Sequence, residues 1–173
     1  MRTQRTQSAL LAFVLTLLSL TAAVAQNNKP RESPTVTATG QANGKTITIV
    51  YGQPSVKGRK IFGGLEPYGK VWRTGANETT TIEFSGDVTL GGKAVPKGKY
   101  ALFTIPGETE WTVILNKGIK WGAYSYKQDE DVVRVTVPAK KTPAPVEKLT
   151  FEVANNGLVT MQWADTAVSF QVK

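Results

Sequence analysis

The chain has 173 residues, no histidine and no cysteine, and sets 21 Lys and Arg against 13 Asp and Glu for a formal charge of +8. Without histidine or cysteine there is no Ser-His-Asp or Cys-His nucleophile system, no disulfide, and no His- or Cys-ligated zinc, copper, iron or haem site. What remains is carboxylate, lysine, tyrosine, serine, threonine and arginine chemistry. Among metals only an oxygen-ligated Ca²⁺ or Mg²⁺ is compatible with that set, and without an EF-hand spacing neither metal nor cofactor is expected.

Arg2 and Arg5, an apolar run from Ala9 to Leu20, and Ala23-Val24-Ala25 before Gln26 follow the order of a secretory signal. Cleavage after Ala25 is predicted, giving a signal peptide over 1–25. The apolar run falls short of the roughly 20 residues that span a bilayer, so the expected product has no transmembrane segment and is periplasmic or secreted. Cleavage there leaves 148 residues with a charge of +6, since Arg2 and Arg5 go with the signal. One domain of that size buries about 68–70% of the surface its unfolded chain exposes and needs no staples. The lysines are scattered instead of forming one block, so the charge reads first as solubility, and nucleic acid is not the expected partner.

Residues 26–34 are polar and proline-bearing, a flexible leader. Alternation of period two then takes over. Ile47, Ile49 and Tyr51 share one face against Thr46 and Thr48, and Thr80, Ile82 and Phe84 repeat the pattern. The same holds for Trp111, Val113 and Leu115; for Val133, Val135 and Val137; for Leu149, Phe151 and Val153; for Val159, Met161 and Trp163; and for Val168, Phe170 and Val172. Gly91-Gly92 and Asn156-Gly157 are hairpin signals, while Pro106-Gly107 and Ala164-Asp165 separate further strands. About nine to eleven short strands follow, in one all-β, antiparallel sandwich or jelly-roll-like domain over 35–173. At most one helical turn is expected, near Ile61 to Leu65, and Lys140 to Pro145 is expected to be a loop crossing between sheets.

Between Tyr51 and Thr79 the alternation lapses into a long stretch rich in glycine, cations and polar groups, uncommon in a small domain unless it has work to do. Three runs carry a resemblance: Pro-Ser-Val-Lys-Gly-Arg-Lys-Ile-Phe-Gly-Gly at 54–64, Pro-Tyr-Gly-Lys-Val-Trp-Arg-Thr-Gly-Ala-Asn-Glu at 67–78, and Leu-Phe-Thr-Ile-Pro-Gly with Glu-Trp-Thr-Val-Ile-Leu-Asn-Lys within 102–117. With these the sequence, from about Ser33 to its end, resembles the bacterial domain-of-unknown-function family 2911. The resemblance implies an exported β-rich domain of Gram-negative bacteria and brings no activity or catalytic residues with it.

The candidate site is therefore read from the residues. Arg59, Lys60, Lys70 and Arg73 offer cations for a carboxylate or phosphate, Tyr68 and Trp72 offer ring faces, and Asn77 and Glu78 complete the polar set. The competing reading has Arg73 paired with Glu78 or Glu66, Trp72 in the core and the glycines in tight turns. Trp121, Tyr124 and Tyr126 form a second aromatic group, Tyr124 and Tyr126 sharing a strand face; core packing is the first reading and sugar stacking the second. Asp129-Glu130-Asp131 reads as a solvated turn and not as a calcium loop. Two glycan-acceptor patterns, Asn77-Glu78-Thr79 and Asp165-Thr166-Ala167, are short enough to arise by chance.

Three functions fit this inventory. The first is a non-catalytic envelope module binding an anionic or carbohydrate ligand through Arg59, Lys60, Tyr68, Lys70, Trp72, Arg73, Asn77 and Glu78. The second is a structural or protein-interaction domain that meets an acidic envelope partner. The third is a glycan hydrolase or lyase using Glu78 with a second carboxylate or with Tyr68 as proton donor.

Overall fold

Alternating apolar and polar residues become strands wherever one face can be buried, and the register here is fixed by which face that is. In the computed structural model, which describes Glu32 to Lys173, the chain forms β1 (Thr35–Ala42), β2 (Lys45–Gly52), β3 (Thr81–Phe84), β4 (Val88–Leu90), β5 (Lys93–Val95), β6 (Gly98–Ile105), β7 (Glu110–Asn116), β8 (Asp131–Val153) and β9 (Leu158–Gln171). The expected signal peptide, and the leader apart from its last three residues, lie outside the described residues. Every pairing between these strands is antiparallel.

Seven strands form one sheet in the order β1-β2-β3-β6-β7-β8-β9, and β4 pairs with β5 as a separate ribbon. The all-β expectation holds, and the two layers of the expected sandwich are opposed walls of a single sheet that curls almost into a barrel. Two contacts close the curl. Beyond β2, Pro54 and Val56 hydrogen-bond onto β8, with Leu149 N–H donating to Pro54 O at 3.0 Å and Val56 N–H to Glu147 O at 2.8 Å. On β1, Gly40 lies so close to β8 that a β-carbon there would sit 2.1 Å from the Val153 carbonyl oxygen.

The alternating faces meet inside. Ile47, Ile49, Ile82, Leu102, Leu115, Leu149 and Val159 are all buried within one core. Its centre is aromatic: Phe62 packs edge-on against Trp72, Trp111 and Trp163 at centroid distances of 5.9, 4.7 and 6.0 Å, while Trp72 stacks on Trp163 at 5.7 Å. Strand β6 is buried on both faces. Its outer residues Ala101 and Phe103 join Ile114 in a small second core covered by Val71, Ile105 and Tyr126, which is why this strand reads as a continuous apolar run.

Several local expectations are corrected. Ile61 to Leu65 forms tight turns and no helix; the short helices are 3₁₀ turns at Ala123–Ser125 and Gln128–Glu130. Tyr124 and Tyr126 therefore lie on and just after a 3₁₀ turn and not on one strand face. Lys140 to Pro145 is not a crossing loop but stays within β8, which pairs with β7 up to Pro138 and with β9 from Ala139 onward. Ala164-Asp165 likewise does not split β9, although Ala164 takes a left-handed φ of 54°. The run Asp129 to Asp131 is more than a solvated turn, because Asp131 accepts hydrogen bonds from Tyr126 Oη and Asn116 Nδ2, both at 2.8 Å, and pairs with Arg134 at 3.0 Å.

The contact between Gly40 and Val153 makes closure testable. Gly40→Ala has to push β1 off β8, and overpacking of this kind costs about 1–3 kcal/mol. Urea unfolding should report that loss, whereas Gly44→Ala, with nothing within 4 Å of a new β-carbon, should show only the smaller strain of its positive φ. Equal stability of Gly40→Ala and wild type would contradict the closed seam.

Candidate functional site

Within the long non-alternating segment Phe62 and Trp72 are drawn into the core, so the residues between them are held at the surface. Turn hydrogen bonds fix the intervening chain: Leu65 N–H donates to Lys60 O at 3.0 Å, Glu66 N–H to Ile61 O at 2.9 Å, and Gly63 N–H to Glu66 O at 3.0 Å. At Gly63, with φ of 70°, a β-carbon would meet Tyr68 Cε2 at 2.6 Å, so the Tyr68 ring lies directly over the glycine. The Arg59 guanidinium is folded back on its own loop, Nε donating to Val56 O at 3.0 Å and Nη2 to Ser55 O. Neither bond uses Nη1.

Facing this loop are the irregular middles of β8 and β9. Lys141 pairs with Thr166 and Val146 with Ala164, so Thr142 to Pro145 bulge out against Asp165 alone. Pro143 and Pro145 cannot donate to a ladder, which explains the break in register; bulges of this kind re-aim side chains and gather beside functional sites. Between loop and bulge lies a cleft of about 500 Å³. Arg59, Lys60, Lys140 and Lys141 line it with Glu108, Glu147 and Asp165, over an apolar floor that includes Ile61, Phe62 and Val146. Glu147 is partly engaged, because its Oε1 accepts from Lys57 N–H at 3.0 Å.

Near Arg73 and Arg59 a carboxylate is held out of its ordinary state. Burial pushes the half-buried Glu66 carboxyl up to about 7, against the opposing pull of the Arg73 and Arg59 charges. Arg73 Nε is itself buried without a hydrogen-bond partner.

A second cleft, of about 350 Å³, opens where the start of β1 and the end of β2 meet the 117–122 loop. It is lined by Thr35, Glu78, Thr81, Lys99, Ile119 and Trp121, among others.

The residues singled out by sequence thus separate into groups. Arg59, Lys60 and Tyr68 line the first cleft, and Glu78 the second. Trp72 is buried in the aromatic cluster, with Nε1 donating to Gly75 O at 3.2 Å, and shows no ring face to solvent. Asn77 takes a φ of 62° and its Nδ2 donates to Ser33 O at 3.0 Å, tying the segment to the start of the folded unit. Lys70 is exposed and lines neither cleft. Tyr68 and Glu78 line different clefts, so the structure does not bring them together as an acid–base pair. Sequence reading passed over Lys140, Lys141 and Asp165, whose signal was the proline-broken lysine pair and the Ala164-Asp165 irregularity.

The sequence profile of a family described as Protein of unknown function (DUF2911) matches residues 33–172. No curated protein and no solved structure matches the chain.

Glu66 gives a pH prediction with a defined sign. Its carboxyl titrates near 4.5 when unconstrained and near 7 in the fold, so the stability linked to it is whole below 4.5 and is lost as pH rises through 7. Glu66→Gln has no such loss. In urea melts it should match wild type near about pH 4 and exceed it above about pH 8 by roughly 1–2 kcal/mol, the full linkage being reduced by solvent around a half-buried group. The same stability difference at both pH values would contradict a raised Glu66.

Proposed function

The chain belongs to the DUF2911 family, whose shared sequence comes with no assigned chemistry, and from its own residues we propose that it is a binding module for an anionic sugar. The observation that carries this reading is the first cleft, where Arg59 and Lys60 from the anchored loop converge with Lys140 and Lys141 from β8. Four cations against three carboxylates leave the lining net positive, which favours an anion among them. Three carboxylates in the same lining narrow the ligand class further. A carboxylated sugar places its anion against the cations, donates its hydroxyls to Glu108 and Asp165, and rests its apolar ring face on the floor and on Tyr68. The secretory order of the first 25 residues supports a site of action in the envelope or outside the cell.

Preorganisation also favours recognition. The loop is bonded to itself and pinned by Phe62, so little of the binding energy is spent on ordering it. Protonation of Glu66 below about pH 7 leaves the Arg59 and Arg73 charges less neutralised, which strengthens anion binding on the acid side.

Isothermal titration with glucuronate and galacturonate, and with neutral glucose as control, tests the reading. Binding of a uronate should weaken with added salt, weaken as pH rises through 7, and fall about tenfold or more in Arg59→Ala and in the Lys140→Ala/Lys141→Ala double variant, the loss of one charge-assisted bond or more. Uronate binding untouched by salt and by these substitutions, or no uronate binding at millimolar concentration, would overturn it.

A further inference from the structure

Three of the four tryptophans are almost wholly inside the core, but Trp121 is 68% exposed. A bare indole beside water is a standing cost unless something covers it. It stands at the second cleft with Ile119, which is 43% exposed, and the loop bearing them is not slack. Ile119 N–H donates to Lys117 O and Lys120 N–H to Gly118 O, both at 3.0 Å, and Thr79 Oγ1 donates to Lys120 O. Gly122, at φ of 74°, then turns the chain away. The ring is therefore presented by a loop pinned at the cleft it borders.

From this arrangement we infer a second binding site, for a neutral pyranose sugar stacked on Trp121. One apolar face of a pyranose matches the indole plane, and the hydroxyls around its rim need donors and acceptors on the surrounding wall. The wall supplies them: the Thr35 and Thr81 hydroxyls and the Lys99 ammonium. A purely apolar ligand would cover the Lys99 ammonium and the threonine hydroxyls without bonding them, which disfavours a greasy peptide or acyl chain here. The volume, about 350 Å³, lies at the lower end of the range of roughly 300–1,000 Å³ for small-molecule sites and suits one or two sugar rings. This site shares no lining residue with the first cleft, so the two are separable by mutation.

Intrinsic fluorescence reads the site directly, since the other tryptophans are sealed in the core and respond little to surface events. The full chain is titrated with cellohexaose, laminarihexaose, mannohexaose and the hexamer of N-acetylglucosamine, and in parallel with vesicles of phosphatidylcholine and phosphatidylglycerol. At least one neutral oligosaccharide should give a saturable blue shift and protect the indole from acrylamide. By isothermal titration, which needs no indole reporter, Trp121→Ala should abolish binding with an unchanged melting temperature, Trp121→Tyr should retain weakened binding, and Lys99→Ala should weaken it about tenfold. Arg59→Ala should leave it intact, which separates failure here from failure of the first cleft. Silence across the sugars, full binding by Trp121→Ala, or a Trp121-dependent response to vesicles alone would overturn the inference, the last in favour of a lipid surface.

Discussion

Phe62 is the residue on which the candidate site depends. Inserted from the loop turn, its ring meets Trp72 of the same segment and Trp111 and Trp163 of strands β7 and β9. Edge-on contacts of this kind are worth about 0.5–1.5 kcal/mol each beyond the area they bury. Their combined effect is to turn a long glycine-rich stretch, which ought to be mobile, into a fixed wall. Arg59 and Lys60 immediately before the anchor, and Tyr68 shortly after it, are displayed because Phe62 is not.

The facing wall is fixed by a different device. Strand β8 changes partners at Pro138 and Ala139, and the two prolines that follow deny it a regular ladder, so the strand bulges opposite Asp165. Ala164 accepts an unfavourable left-handed backbone as part of the same accommodation. A further strained position lies in the long loop segment. Thr74 is β-branched yet takes a φ of 54°, and it is held there by a 3.1 Å hydrogen bond to Thr104 and by Thr80, whose hydroxyl donates to the Thr74 carbonyl at 2.9 Å. Such backbone persists only where the surroundings over-determine it. The first cleft thus lies against irregular backbone built into an otherwise regular sheet, with Phe62 of the aromatic cluster in its lining.

Much of this was legible in the alternation. The apolar faces of β2, β3, β7, β8 and β9 were correctly read, from Ile47, Ile49 and Tyr51 to Val168, Phe170 and Val172, because period-two burial is a local property that sequence displays directly. The hairpins at Gly91-Gly92 and Asn156-Gly157 were equally plain. Closure of the sheet was not, since the approach of Gly40 to Val153 joins residues far apart in the chain and a glycine in a strand has several explanations. The long loop was correctly singled out as exceptional, but its role was read too uniformly: Trp72 and Asn77 hold the segment in place, while Arg59, Lys60 and Tyr68 face the cleft. Lys140 and Lys141 were missed because they belong to the opposite wall. Trp121 and Tyr124 were assigned first to the core and are exposed, a reminder that aromatic identity alone does not say which way a loop is turned.

Whether the loop is a preformed wall is measured directly by amide hydrogen exchange of the free protein. The amides of Gly63, Gly64, Leu65 and Glu66, all hydrogen-bonded within the turn, should exchange as slowly as those of flanking strand residues such as Ile49 and Ile82. In Phe62→Ala the same four amides should lose protection well before the strands do, since the anchor is gone and the sheet remains. Rapid exchange of these amides in the wild-type protein, or protection unchanged by removing Phe62, would contradict a wall preformed in this way.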